Sequence, residues 1–345
     1  MDIEEIKKVI NGKFDKIESK INNLDNILSE KIADDNKIDE EVISYIAGFF
    51  DGEGMIEISK ELRLLTQTGN TNLDILKRIK SVFSGEIYPR EARKEGHKKQ
   101  WSWQITDKDK LKFFLETIVP YSTVKMSQIL DALEFLENTT NSMGKRLSSE
   151  ERKYRESMHL KNQELKRRIY TDDEIKQFTY QINNTTQSQK MFDKSVYSYI
   201  SGFFDAEGTV GVYGNINESL YLTSRIKNTY PNILIGMKQV FGGNVTKLVK
   251  SKNPNHRQQW IWGTGDKDDI KFFLNKILPY SIVKKPQIKL GLKFLETYNY
   301  NTQQIIANKL KEMKDVEHTD DEIKELNKQI DDMNIDKHQK TMMDF

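Results

Sequence analysis

Cysteine is absent from all 345 residues, so disulfides and thiolate metal sites are excluded. The 5 histidines show no metal-ligand clustering. Any chemistry must rest on carboxylates, lysines, amides and a recruited metal ion. There is no apolar run of about 18 residues, the length that suggests a membrane span, and no apolar leader. These absences predict an intracellular, non-secreted protein with no membrane partner. Net charge is also nearly absent, at +2, but the total conceals a pattern. Residues 1–41 carry 7 Lys against 12 Asp or Glu, and residues 312–345 carry 5 Lys against 11, for nets of −5 and −6. The middle, 42–311, is therefore +13. A basic body with acidic ends suits a core that binds a polyanion; Lys-rich solvated helices are the plainer alternative.

What the chain has is duplication. Tyr45-Ile46-Ala47-Gly48-Phe49-Phe50-Asp51-Gly52-Glu53-Gly54 returns 154 residues later as Tyr199-Ile200-Ser201-Gly202-Phe203-Phe204-Asp205-Ala206-Glu207-Gly208. Duplicated stretches of this length mean one structural unit used twice. Each is apolar enough for a buried helix. Each carries a small pair, Ala47-Gly48 or Ser201-Gly202, in mid-helix, where Gly costs about 1 kcal/mol relative to Ala. The cost is tolerable where another backbone must come close, and two copies exist to approach each other. Each helix ends on acids, Asp51 and Glu53 or Asp205 and Glu207, with Gly54 or Gly208 as a C-cap candidate. Carboxylates at the negative end of a helix dipole are unfavourable. Two such ends side by side add repulsion, which divalent cations would relieve. Mg²⁺ suits one or two carboxylates with waters and phosphate oxygens.

Both stretches resemble the LAGLIDADG motif of homing endonucleases, with Ile46 or Ile200 in the first place and Gly54 or Gly208 in the last. Phe-Phe stands for the Leu-Ile pair and Glu for the second acid, which keeps apolarity and charge. Beyond the motifs the two copies continue in parallel. After Gly54 come an alternating strand, Met55 to Ser59, with Ile56 and Ile58 inward, and a second strand, Leu62 to Thr66. An amphipathic helix, Leu73 to Phe83, is closed by Ser84-Gly85. Strands Glu86 to Arg90 and Gln100 to Thr106 flank a basic hairpin loop, 93–99. A helix from Asp107 carries Phe113-Phe114-Leu115 and stops before Pro120, and another runs from Lys125 to about Glu137. The second copy has strands Thr209 to Tyr213 and Tyr221 to Ile226, a helix Pro231 to Phe241, and a block Trp260 to Asp268 that matches Trp101 to Asp109. Both copies end in charged helices opened by capping boxes, Thr171 with Glu174 and Thr319 with Glu322.

The order matches the αββαββα half-domain of the resembled family. It implies an α+β fold of two pseudo-symmetric repeats packed through the motif helices, with antiparallel sheets forming a DNA-binding saddle. The boundaries are 1–41, a helical extension and possible coiled coil that could self-associate; 42–184, the first repeat with its tail; 185–195, a linker; 196–335, the second repeat with its tail; and 336–345.

The resemblance implies a site-specific, metal-dependent double-strand DNA endonuclease that cuts a long asymmetric target as a monomer and leaves short 3′ overhangs. It would be intron-encoded or free-standing. An intron RNA-binding maturase on the same scaffold is the alternative. Glu53 and Glu207 would hold Mg²⁺ or Mn²⁺, with the carbonyls of Gly52 and Ala206 as further ligands. Lys125 and Lys284, each after a Pro-Tyr turn, match the family lysine that organises water near the scissile phosphate. Gln67 matches a further contact to that water; its counterpart Arg225, with Asn228 nearby, departs from the pattern. Candidates to face DNA are Arg63, Arg90, Arg93, Lys98, Arg225, Lys227, Lys247 and Arg257. The tryptophans Trp101, Trp103, Trp260 and Trp262 sit at alternate strand positions, so each pair shares one face, either the core or the saddle.

Overall fold

The computed structural model describes residues 38–91, 99–140, 147–167, 169–188, 191–214, 219–249, 257–315, 325 and 328. Arg93, Lys98, the extension before residue 38, the Thr319 capping box and residues 336–345 lie outside them.

The first half begins with α1 (Glu40–Glu53), opened by Asp39, whose carboxylate accepts from Glu41 N. It is apolar all round and buried over most of its length, as the motif required. Strands β1 (Gly54–Ile58) and β2 (Leu64–Asn70) form an antiparallel pair. Helix α2 (Leu73–Phe83) is capped by Asn72. Strands β3 (Glu86–Arg90) and β4 (Gln100–Ile105) follow, then α3 (Lys108–Ile118), capped by Asp107, and α4 (Met126–Glu137). The sheet order is β1-β2-β4-β3. After α5 (Ser149–Arg167) and α6 (Asp172–Asn184), the second half repeats the plan. It comprises α7 (Lys194–Glu207), β5 (Gly208–Tyr213), β6 (Tyr221–Asn228), α8 (Pro231–Phe241), β7 (Asn244–Lys247), β8 (Trp260–Thr264), α9 (Lys267–Ile277), α10 (Lys285–Glu296) and α11 (Tyr300–Asp315). Its sheet order is β5-β6-β8-β7. The fold is thus α+β, with two four-stranded antiparallel sheets backed by helices. None of the described helices is long and apolar enough to cross a membrane.

The two halves meet along α1 and α7. A Cβ placed on Gly48 would lie 2.0 Å from the carbonyl oxygen of Tyr199, and one on Gly202 would lie 2.0 Å from that of Tyr45. The small residues are there because the other helix's backbone occupies the side-chain space. Gly54 and Gly208 have a different reason. They follow the helices in an extended conformation, φ −69° and −81°, not the left-handed one of a glycine C-cap. A Cβ at either would strike the ring of Phe50 or Phe204, so the chain turns from helix to strand hard against an aromatic ring.

Three of the four tryptophans belong to the core, and Trp101 is half-buried on the same side. Trp103, Trp260 and Trp262 are fully buried on the helix side of their sheets. Trp103 Nε1 donates to Ser84 O and Trp262 Nε1 to Gly242 O, tying each sheet to the end of its helix. The opposite face of each sheet forms the saddle.

Edge strand β1 is covered by α5. Ile58 N donates to Asn162 Oδ1 at 3.3 Å and Ile58 O meets His159 Nδ1 at 2.6 Å. That cover removes an open pairing edge. Helix α6, which the sequence groups with the first repeat, makes its contacts in the second. Ile182 is buried there, and Lys238 Nζ donates to Ile182 O at 2.8 Å. Within the expected linker, Ser188 N donates to Gln239 O at 2.8 Å.

Candidate active site

Each motif helix carries two acids, and the structure separates their tasks. Asp51 is 1% exposed. Its carboxylate accepts from Ser122 Oγ, from the backbone N–H groups of Thr123, Val124 and Lys125, and from Tyr199 OH, at 2.5 to 2.9 Å. Asp205 is bound the same way by Ser281 Oγ, by Ile282, Val283 and Lys284 N, and by Tyr45 OH. Neither has a lone pair to spare for a metal. Each instead satisfies the donors of the turn that opens α4 or α10, and so sets where Lys125 or Lys284 stands. The phenol on each comes from the other half. Burial first, and the facing aspartate second, push Tyr45 and Tyr199 well above the usual tyrosine range. This brace was not legible in the motif, although the repeated Tyr six positions before the Asp was its signal.

Glu53 and Glu207 are the acids free to act. The helix tips abut: a Cβ on Gly52 would lie 2.3 Å from Ala206 Cβ and 3.2 Å from Glu207 Cγ. Both glutamates titrate above the usual carboxylate range. For Glu53 the causes are burial and then the charge of Glu207; for Glu207 it is burial. Lys125 and Lys284 oppose the rise in both. Two carboxylates forced together on the negative ends of two helices have a charge they cannot neutralise themselves.

Lys125 and Lys284 open α4 and α10 and are half-buried. Burial lowers both below the usual lysine range, against the pull of the acids around them. Lys125 Nζ donates to the carbonyls of Asp51 and Gly52, and Lys284 Nζ to that of Asp205. Each ammonium thus sits at the open carbonyl end of its own half's motif helix. Among the described residues there is no group of three or more His, Cys, Asp or Glu that would hold a metal unaided. The donors available are Glu53, Glu207 and the carbonyls of Gly52 and Ala206, with room for outside oxygens.

Gln67 faces the first saddle. Its Oε1 accepts from Arg90 Nη2 at 2.9 Å and from Gln104 Nε2 at 3.1 Å. In the second saddle Arg225 lies 4.5 Å from the Tyr213 ring centroid. Lys227 pairs with Ile261 and so shares the face of Arg225. Arg63 is exposed beside the β1–β2 turn. Lys247 is a correction. It stands opposite the buried Trp260 in the β7–β8 ladder, so it lies on the helix side of the sheet. The saddle positions of β7 are Asn244 and Thr246, which stand opposite Gly263 and Ile261.

A cavity of about 430 Å³ opens between the halves beside Lys125. Its walls include Glu207 and three cations from separate elements: Lys166 at the end of α5, Lys227 on β6, and Arg257 before β8. Arg257 is close enough to depress Lys125 further. Lys166 is held 3.5 Å from Glu57.

No family model matches the chain, and no curated protein does. Solved structures match it across both repeats. A LAGLIDADG homing endonuclease, I-GzeII, solved in complex with its DNA target, is 17% identical over 79% of this chain and 97% of its own, with a TM-score of 0.52. The LAGLIDADG meganuclease I-AabMI, bound to uncleaved DNA, is 17% identical over 80% of this chain and 99% of its own, with a TM-score of 0.55. I-SmaMI, bound to an uncleaved DNA target in the presence of calcium ions, is 14% identical over 79% and 98%, with a TM-score of 0.51. The chain has the double-motif LAGLIDADG fold in full.

Proposed function

We propose that this protein is a site-specific, metal-dependent endonuclease that cuts both strands of a long, asymmetric DNA target as a monomer. The observation that carries the proposal is the pairing of Glu53 and Glu207 on abutting helix tips, each half adding a half-buried lysine. Duplex DNA offers two antiparallel strands about a local two-fold, and two quasi-equivalent halves can address one strand each. The saddle faces supply the rest. Arg90, Gln67 and Gln104 on one side and Arg225 and Lys227 on the other offer donors to base edges and phosphates. Arg63 and Arg257 would add backbone contacts.

The donor set fits Mg²⁺ or Mn²⁺: hard oxygens, two carboxylates with surplus negative charge, and space for waters and phosphate oxygens. Glu53 and Glu207 would hold the ions, with Gly52 O and Ala206 O beside them. When bound, such ions supply water activation and neutralise the leaving oxygen. The protein's own part is positional. Asp51 and Asp205 fix the turns that aim Lys125 and Lys284. The lysine ammonium groups orient water and meet charge that develops on the phosphate, in a site where burial strengthens the interaction. Gln67, held by Arg90 and Gln104 on the first saddle, would contact the water network; Arg225 stands in its place in the second half.

The test is cleavage of a library of presumed insertion sites by the purified protein with Mg²⁺. Double-strand cuts at one sequence, lost in the absence of divalent ions, are expected. An uncut library, with the protein folded and binding DNA, would overturn the proposal.

A further inference from the structure

One repeated motif has no part in the site. Thr171-Asp172-Asp173-Glu174-Ile175-Lys176 returns as Thr319-Asp320-Asp321-Glu322-Ile323-Lys324, 148 residues later. The likeness continues past the capping box. Ile175, Phe178 and Ile182 in α6 are matched by Ile323, Leu326 and Ile330 at the same spacing. The helices before them keep the same interval: α5 ends at Arg167 and α11 at Asp315, each four residues short of its Thr.

Where α6 goes is visible. It leaves the first half and lies on the second, against α8 and Trp260. Tyr170, just before it, and Phe178 within it set their rings edge-on to Trp260 at 5.7 and 6.0 Å. Its end is fixed by Lys238 and Gln239 of α8. The first half has the corresponding surface. Helix α2 has the same length as α8, and Lys80 and Ser81 stand where α8 has Lys238 and Gln239. Trp101 stands where the second half has Trp260, yet it is only half-buried, with Lys99 Nζ 4.4 Å above its ring. Pro89, opposite Trp101, is exposed, as are Lys77 and Lys80. Trp101 and Pro89 form the apolar part of this face, and the lysines beside them are paired within the first half, Lys77 with Asp74 at 3.3 Å and Lys80 with Glu86 at 2.8 Å. Residues 319–332 hold six acids and two lysines, a net of −4, beside their three apolar positions.

We propose that residues 319–332 are the counterpart of α6 and dock on the first half, over α2 and Trp101, with Ile323, Leu326 and Ile330 inward. Each half then sends a helix across to cover the other. The occupant is the chain's own tail, selected by a shared capping-box sequence, a shared apolar spacing and the same interval from the helix before it. This inference is independent of the nuclease proposal.

The absence of cysteine makes the test direct. Ser188 N and Gln239 O are hydrogen-bonded, so a Ser188→Cys, Gln239→Cys pair suits a disulfide and serves as the positive control. The corresponding pair in the first half is Ser81→Cys with Asp336→Cys. An intramolecular disulfide in the full chain, formed as readily as the control, is expected. The rival occupant is the segment before α1, where Asp34 lies 154 residues before Ser188. Formation of a Ser81→Cys, Asp34→Cys bond instead, or of neither while the control forms, overturns the proposal. A second readout uses Trp101, because the other three tryptophans are fully buried. In full-length Leu326→Asp, Ile330→Asp protein, acrylamide quenching of tryptophan should rise about twofold as the indole loses its cover. Unchanged quenching also overturns the proposal.

Discussion

The two halves hold their aspartates alike and surround their lysines differently. Asp51 and Asp205 take matching bonds from matching turns, down to the phenol contributed by the opposite half. Beyond that frame the likeness lapses. Gln67 stands on the first saddle where Arg225 stands on the second. The walls of the cavity beside Lys125 gather Lys166, Lys227 and Arg257. Position 227 corresponds to Gly69 in the first half, so that cation has no counterpart beside Lys284. The frame that positions the lysines is present in duplicate, and the saddle faces differ.

The largest expected effect tests whether the centres are equivalent. Glu53→Gln and Glu207→Gln, made singly, should each lower double-strand cleavage by about 10²–10³-fold, the scale for losing a principal charged group at a reacting phosphate. Gel assays that resolve nicked from linear product will show whether one strand is still cut. Binding should survive. Both glutamates are raised in the folded protein, so at neutral pH they cost stability that is regained as pH falls through their folded values. Either Gln variant should therefore melt higher than the parent in EDTA, and a lower melting temperature would count against crowded carboxylates.

Next in size is the frame. Asp51→Asn and Asp205→Asn each leave buried donors without a charged acceptor, at a cost of roughly 3 kcal/mol or more. Denaturant unfolding should show equal losses. A loss confined to one half would break the equivalence drawn above. Smaller again is the contrast in surroundings. Lys227→Ala with Arg257→Ala should slow the cut made beside Lys125 by about tenfold, near 1.4 kcal/mol, and spare the other. Equal slowing of both strands would mean that these cations serve binding alone.

The tyrosines give a pH signature. Their pKa values are raised above 10.0 by burial and by the facing aspartates, so the folded chain keeps phenols protonated that the unfolded chain releases. That stability is fully present below pH 10.0 and is lost as pH rises beyond it. Tyr45→Phe with Tyr199→Phe should flatten the alkaline decline measured by urea unfolding between neutral pH and about 11.

The smallest effect lies at the end of α2. Ser84 adopts φ 62°, ψ −145°, where the second half has Gly242 at φ 70°, ψ −143°. Ser84→Gly should gain about 1 kcal/mol and Gly242→Ser should lose at least as much, by calorimetry.

Much of this was legible in the residues. The motif helices, the limits of α2 and α8 and the strand pairs follow from period and turn chemistry. Strand β2 runs on through Gly69 and Asn70, which read locally as turn residues but are held by pairing with Ser102 and Trp101. The alternating tryptophans marked one face without saying which; their indole bonds to Ser84 and Gly242 decide it. The split between Asp51 and Glu53 was hidden for a different reason. Locally both are acids at a helix end, and only donors more than seventy residues away distinguish them. The half-buried setting of Lys125 and the mixed parentage of its cavity are likewise products of assembly, not of any local pattern.

The exchange of phenols across the midline sets a rule for recombination. Each half's aspartate takes four bonds from its own turn and a fifth from a phenol of the other half. A half grafted onto a foreign mate will keep the fifth bond to its aspartate only if that mate offers a hydroxyl at the position of Tyr45 or Tyr199. The contacts that join the halves and the residues that differ between the two saddles therefore lie in separate places.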